Sequence, residues 1–253
     1  MEGKKINILG VHTDGQPFKE AVERLVAWAK SNGKYYVSTS PVYTLMQCFD
    51  NPHIMKAING SDMITADGVP VVWVQRMRGA TKAERCYGPD LMLAVSEKTA
   101  GTNVSHFYLG GGPGVAEKLR VNLQAKFPGL QVAGTDSPMI AKQPVIDQAL
   151  VKRLNDSGAA IIWVGLGSPK QDLFMEVYRP VLNAPLLIAV GAAFDFHAGT
   201  IPQAPKWMQK SGLEWLFRLA QEPRRLAGRY LIHNPRYIFH VLREQITGSW
   251  KRA

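Results

Sequence analysis

Two stretches of this 253-residue chain share one arrangement, HFYLGGGPGVAEKL over 106–119 and IIWVGLGSPKQDLF over 161–174. In each, an apolar run rich in β-branched or aromatic residues meets glycines and continues as a helix-forming segment. A strand that feeds a helix through a short glycine turn uses that helix as a crossover to a parallel neighbour, which confines the chain to α/β architectures. The same geometry turns backbone N–H groups and the positive end of a helix toward the carboxyl edge of the sheet, where anions bind. Gly110, Gly112, Gly165 and Gly167 are therefore candidate phosphate contacts. The alternative for either loop is a tight connection with no ligand.

The rest of the chain keeps this alternation. Strands are expected at Lys5–Leu9, Lys34–Ser38, Met63–Thr65, Ser105–Leu109, Gln131–Gly134, Ala160–Gly165 and Leu186–Val190, with helices clearest at Pro17–Ser31, Asp90–Ala100, Gly114–Phe127 and Val145–Ser157. This pattern predicts an α/β fold, a mostly parallel sheet with helices on both faces. Pro202 and Pro205 mark a junction where acidic residues thin out, giving a body over 1–200 and a helical appendage over 201–253. Pro223 and Pro235 are expected to break that appendage into three helices.

Charge is divided the same way. Residues 206–253 hold ten Lys or Arg against three acids, so seven of the chain's ten excess positive charges lie there. Leu213, Leu216, Phe217 and Ala220 form an apolar stripe amid Arg218, Arg224, Arg225 and Arg229, followed by Tyr230, Tyr237, Ile238 and Val241. A basic amphipathic helix suits an anionic membrane surface or a phosphorylated ligand; the alternative is a stripe packed on the body with solvated arginines. Residues 1–205 carry 20 basic and 17 acidic side chains, not the basic reading face that a nucleic-acid partner requires. Cys48 and Cys86 form no C-x-x-C pair and have no histidine cluster nearby, which argues for a reducing, cytoplasmic setting. The opening apolar run is too short for a signal peptide, and 184–196 is too short to span a bilayer, so membrane contact is expected to be peripheral.

Chemistry needs groups at the same sheet edge. In the segment Asp62-Met-Ile-Thr-Ala-Asp67-Gly68-Val-Pro70, Asp67 stands where a buried strand ends, the usual address of active-site residues in open α/β sheets. Desolvated by Val69, Val71, Val72 and Trp73, its carboxylate can act as a general base; equally, it can cap the helix that starts at Gly68 or Val69. Asp195 poses the same choice after the Leu186–Val190 strand, and His197 beside it reads as a turn or core histidine. The glycines do not form G-x-G-x-x-G or a P-loop, so no nicotinamide cofactor is expected. None of the ten aspartates lies two residues from another and no zinc spacing occurs, so no metal is expected and diphosphate charge falls to arginines and N–H dipoles.

Taken in order, the segments INILGV, ADGVPVVW, Arg85-Cys-Tyr-Gly88-Pro-Asp90, LGGGPGVAEK, Gly165-Leu-Gly167-Ser-Pro169-Lys170-Gln171-Asp172, Gly191-Ala-Ala-Phe-Asp195 and Gly212-Leu-Glu-Trp-Leu-Phe-Arg218 resemble the WecG/TagA/CpsF family of bacterial glycosyltransferases, glycosyltransferase family 26. The resemblance runs from Ile6 to about Tyr230. It implies an inverting, metal-independent transfer from a UDP-sugar, often UDP-N-acetylmannosamine, to a polyprenyl-diphosphate-linked sugar on the inner face of the cell membrane. It also implies a Rossmann-like body with a C-terminal appendage, and assigns the general base to Asp67, the sugar and diphosphate pocket to Arg85 and Gln171, and a covering role to Arg218, Arg225 and Arg229; Lys170 beside Gln171 is a further candidate substrate contact. Two positions depart from the family pattern. Ser38-Thr39-Ser40 replaces the usual Thr-x-Asn, leaving Ser38 and Ser40 as candidate sugar contacts, and Asp172 replaces Glu.

Two other classes compete. An oxidoreductase would need the missing dinucleotide fingerprint. A non-catalytic nucleotide- or membrane-binding protein would not need Asp67, Arg85 and Gln171. A homo-oligomer is compatible with the sequence, and a chain ending near Pro205 is expected to stay folded because every expected strand lies upstream.

Overall fold

The computed structural model describes residues 4–251. Its sheet contains β1 (Lys4–Ile8), β2 (Val11–Gly15), β3 (Tyr35–Ser40), β4 (Met63–Ala66), β5 (Ser105–Gly110), β6 (Gln131–Asp136), β7 (Ile161–Gly165) and β8 (Leu186–Ala189), in the order β1-β2-β4-β3-β8-β7-β5-β6. All neighbours are parallel except the β1–β2 hairpin.

Every expected strand is present within a few residues of its expected ends; β2 was not foreseen. Its sequence, Val-His-Thr-Asp-Gly, lacks an apolar alternation, and the two-residue turn before it is Leu9-Gly10 rather than Asn-Gly. Leu9 adopts φ 53° there, a conformation non-glycine residues rarely take. Asp14 holds the new strand in place: buried, it accepts the Ile64 N–H of β4 at 2.8 Å and pairs with Lys5 at 2.7 Å.

Period-two alternation sends successive side chains to opposite faces. In β7, Ile161 and Trp163 join α1 (Phe18–Ala29), α5 (Gly88–Thr99), α6 (Val115–Lys126) and α9 (Ala193–Ala198) in one core, while Ile162 and Val164 pack on the other face against α7 (Gln148–Asp156) and α8 (Lys170–Tyr178). A third cluster joins Ile8 and Ile64 to α2 (Val42–Asp50), α3 (Pro52–Asn59) and α4 (Val69–Met77). Buried His106 accepts the Trp163 indole N–H at 2.9 Å and lies 2.9 Å from the Thr99 hydroxyl, and burial pushes its pKa down to about 3, so it is neutral core structure.

The appendage folds into four α-helices among the described residues, not three, followed by a 3-10 turn at Ser249–Lys251: α10 (Lys206–Ser211), α11 (Glu214–Gln221), α12 (Pro223–Leu231) and α13 (His233–Thr247). Gly212, at φ 77°, makes the unforeseen break. Pro235 interrupts nothing. It sits in the first turn of α13, where an N–H has no partner inside the helix.

Packing ties the appendage to the body well beyond Pro205. Tyr237 and Val241 of α13 lie in the same core as Ile8, Leu45 and Val71. Buried Arg78 donates to the Asn7 carbonyl and pairs with Glu244 of α13 at 3.0 Å, and Arg236 pairs with Asp50 at 2.6 Å. A cut at 205 would uncover that core and leave a buried guanidinium without its carboxylate.

Candidate active site

Five adjacent strands deliver their carboxyl ends to one cavity of about 570 Å³: Thr39 from β3, Asp67 from β4, Gly111 and Gly112 after β5, Gly165 to Gly167 after β7, and Gly191 after β8. Helices α11 and α12 close it from above with Arg218, Arg225 and Arg229.

Asp67 follows the last residue of β4 and does not cap the next helix: the N-cap of α4 is Gly68, and no side chain bonds the helix end. Its Oδ1 is buried with no hydrogen-bond partner. Burial pushes its pKa up to about 6 against the opposing pull of Arg85, and nearby Glu214 pushes the same way as burial. That combination gives a carboxylate poised near neutrality, on a residue that lines the cavity and with one oxygen free of any hydrogen-bond partner.

Arg85 is fixed on three sides. Its Nε donates to the Asp67 carbonyl at 2.6 Å, its Nη2 donates to Glu214, and its guanidinium lies 3.8 Å from the Tyr87 ring centroid. The Tyr87 hydroxyl donates to the other Glu214 oxygen. Glu214, in the first turn of α11, thus ties the roof to the cavity floor. Gln171, in the first turn of α8, is almost wholly buried; its Oε1 accepts the N–H of Gly167 at 3.2 Å and of Gly191 at 3.1 Å, so one amide sets the spacing of two glycine loops. Lys170 and Asp195 also line the wall, and Thr200 donates to the Asp195 carboxylate at 3.1 Å.

The three roof arginines are not equivalent. Arg225 pairs with Glu222 one turn earlier on its own helix and is more than half exposed. Arg218 lies 5.4 Å from the Phe196 ring centroid and Arg229 lies 4.1 Å from that of Tyr43; neither forms an ion pair among the described residues, and each has a buried Nε without a partner. Burial holds the Arg229 pKa below its ordinary value. Two half-buried guanidiniums without an ion pair among the described residues thus line one side of the cavity, where an anion would find donors.

Three expected contacts stand behind the wall. Ser38 and Ser40 are fully buried off the cavity, and Thr39 between them lines it, because neighbouring residues of a strand face opposite sides. Ser38 donates to Asp172, whose second oxygen accepts from Ser168 at 2.8 Å, and burial pushes the Asp172 pKa up to about 6. The two departures from the family pattern therefore meet each other rather than a ligand. Gly110 serves close packing: a Cβ there would stand 2.6 Å from the Gly165 carbonyl oxygen. Tyr43, Tyr87 and Glu214 are not among the site residues expected from the sequence; Tyr87 and Glu214 lie inside the segments 85–90 and 212–218, whereas Tyr43 stands in no motif.

The family model described as Glycosyl transferase WecG/TagA/CpsF family matches residues 6–251, nearly the whole chain. The chain belongs to that family of glycosyltransferases.

Proposed function

We propose that this glycosyltransferase moves a hexose, N-acetylmannosamine or a close relative, from a UDP-sugar to a polyprenyl-diphosphate-linked sugar, with inversion and without a metal, in the synthesis of bacterial cell-surface polysaccharide or teichoic acid. The observation that carries this reading is the juxtaposition of an unpartnered Asp67 oxygen with two unpaired guanidiniums, Arg218 and Arg229, across one cavity.

The acceptor hydroxyl oxygen forms a bond to the anomeric carbon as the bond from that carbon to the diphosphate oxygen breaks. The electron pair of the broken bond leaves with UDP, and the hydroxyl proton passes to Asp67. Charge developing on the leaving diphosphate is met by Arg218, Arg229 and the loop N–H of Gly112, donors fixed before reaction. No group of three or more His, Cys, Asp or Glu among the described residues is arranged to hold a metal ion, so this scheme places the neutralising role on arginine.

The appendage over 201–253 would act as both roof and peripheral anchor on the inner face of the membrane. No helix among the described residues is long and apolar enough to cross a bilayer. The outer surface of α12 and α13 exposes Leu231, Ile232, Ile238, Phe239, Leu242 and Ile246 near Arg224 and Arg243, a composition that suits an anionic interface.

Asp67→Asn tests the scheme, since it keeps shape and removes basicity. Transfer measured by mass spectrometry should fall about 10²–10⁴-fold, with UDP affinity retained. Turnover above about a third of wild type would move the base elsewhere, Asp195 being next.

A further inference from the structure

A second, smaller groove of about 330 Å³ lies beside the cavity, between α4 and α10. Val69, Arg85 and Gln209 line both spaces, so the groove meets the cavity two residues beyond Asp67. Its outer walls are Trp73 and Arg76 of α4 and Lys206 and Lys210 of α10.

Its charges are only partly answered. Asp90 takes Lys206 at 3.4 Å, and Glu214 takes Arg85. Arg76 uses its Nε on the Ala83 carbonyl at 2.8 Å, which anchors the side chain, and neither Arg76 nor Lys210 forms an ion pair among the described residues. Trp73 is 57% exposed, a large planar apolar surface set beside two free cations. Such a wall matches a ligand that carries a diphosphate next to a sugar ring.

In-line inversion imposes a second condition. The incoming hydroxyl and the leaving diphosphate must lie on opposite sides of the anomeric carbon, so acceptor and donor need separate entrances that converge at the base. The donor's diphosphate is assigned above to the side of the glycine loops and Arg218, which leaves the α4–α10 side for the acceptor. We infer that this groove is the acceptor subsite: Arg76 and Lys210 hold the diphosphate of the lipid-linked acceptor, Trp73 covers its sugar, and the sugar hydroxyl reaches Asp67 past Val69. This inference rests on the sugar-transfer reading of the cavity.

The test is a calorimetric titration of UDP-saturated protein with geranyl-diphosphate-linked N-acetylhexosamine. The wild type should bind the probe with UDP in place, and Arg76→Ala and exposed Lys210→Glu should each weaken that binding at least tenfold. UDP affinity of both variants should stay within about twofold and their melting temperature should not move. Unchanged probe affinity in Lys210→Glu and Arg76→Ala overturns the inference, as does competition between UDP and the probe. If instead Lys210→Glu reduces only binding to phosphatidylglycerol vesicles, the groove holds lipid headgroups and the acceptor assignment falls. Wild-type protein that binds UDP but not the probe defeats this inference alone; protein that binds neither defeats the UDP-sugar reading beneath it.

Discussion

Within one basic tail, α11 and α12 use their charges in a way that α13 does not. On α13, Arg236 and Glu244 are matched to Asp50 and Arg78 of the body, and Tyr237 and Val241 fill its core. On α11 and α12, half-buried Arg218 and Arg229 each have a buried Nε without a partner and form no ion pair among the described residues, and Leu226 alone of the apolar residues there is fully buried. Buried apolar area stabilises a fold, and a buried charge is tolerated there when it is matched. Unmatched, desolvated charge costs stability and is retained where a ligand supplies the missing partner. The tail is thus a clamp joined to a roof, and one sequence composition serves both.

The largest test of that division is deletion of 233–253. Losing a buried aromatic costs about 3–5 kcal/mol, and stranding the buried Arg78 costs about 3–5 kcal/mol more. Against a typical total of about 5–15 kcal/mol, the protein should lose its cooperative thermal transition. A melt within a few degrees of wild type would make α13 dispensable and erase the contrast. Next in size, Arg218→Ala and Arg229→Ala should each lower kcat about 10²–10³-fold, the usual effect of removing one preorganised donor. Their melting temperatures should hold within a few degrees, since each is half-buried and forms no ion pair among the described residues; a large fall would make these residues part of the clamp.

Acid separates the two regions more gently. Asp67 must be ionised to accept a proton, so kcat/KM should drop about tenfold per pH unit below about 6. The sign for stability is opposite: folded pKa values raised to about 6 at Asp67 and Asp172 subtract stability above that pH, and the cost is relieved as pH falls toward 4. Asp50 in the clamp is held below the ordinary carboxylate range, first by its hydrogen bond from Arg236, so its contribution is lost only as pH falls through that lower pKa. At pH 5 the protein should be folded by circular dichroism and slow in transfer. The smallest effect belongs to Arg236→Ala. Both partners of that pair are over a third exposed, so the loss should stay under about 1 kcal/mol by denaturant titration, with turnover unchanged.

Much of the site was legible as position along the chain. Asp67, Gly165, Gly167, Lys170 and Gln171 stand at strand ends or first helical turns, and local periodicity fixes those places. What local pattern could not give was direction and partner. Ser38 and Ser40 share a strand end with Thr39, yet strand alternation turns them from the cavity and Asp172, more than 130 residues away, takes Ser38. Glu214 is an ordinary tail acid until the fold sets it against Arg85 and Tyr87.

The sequence by itself determined the α/β alternation, the glycine loops at the carboxyl edge, the carboxylate after β4 and the excess of positive charge in the tail. Those are properties of neighbours in the chain: periods of two and 3.6, turn chemistry, and composition. Only the tertiary structure decided that β2 completes the sheet edge, that α13 belongs to the body, and that Arg218 and Arg229 face a cavity while Arg236 faces a carboxylate. A charge or an apolar face acquires its role from what long-range packing places against it, and two amphipathic segments of one basic tail are assigned to different tasks on that ground.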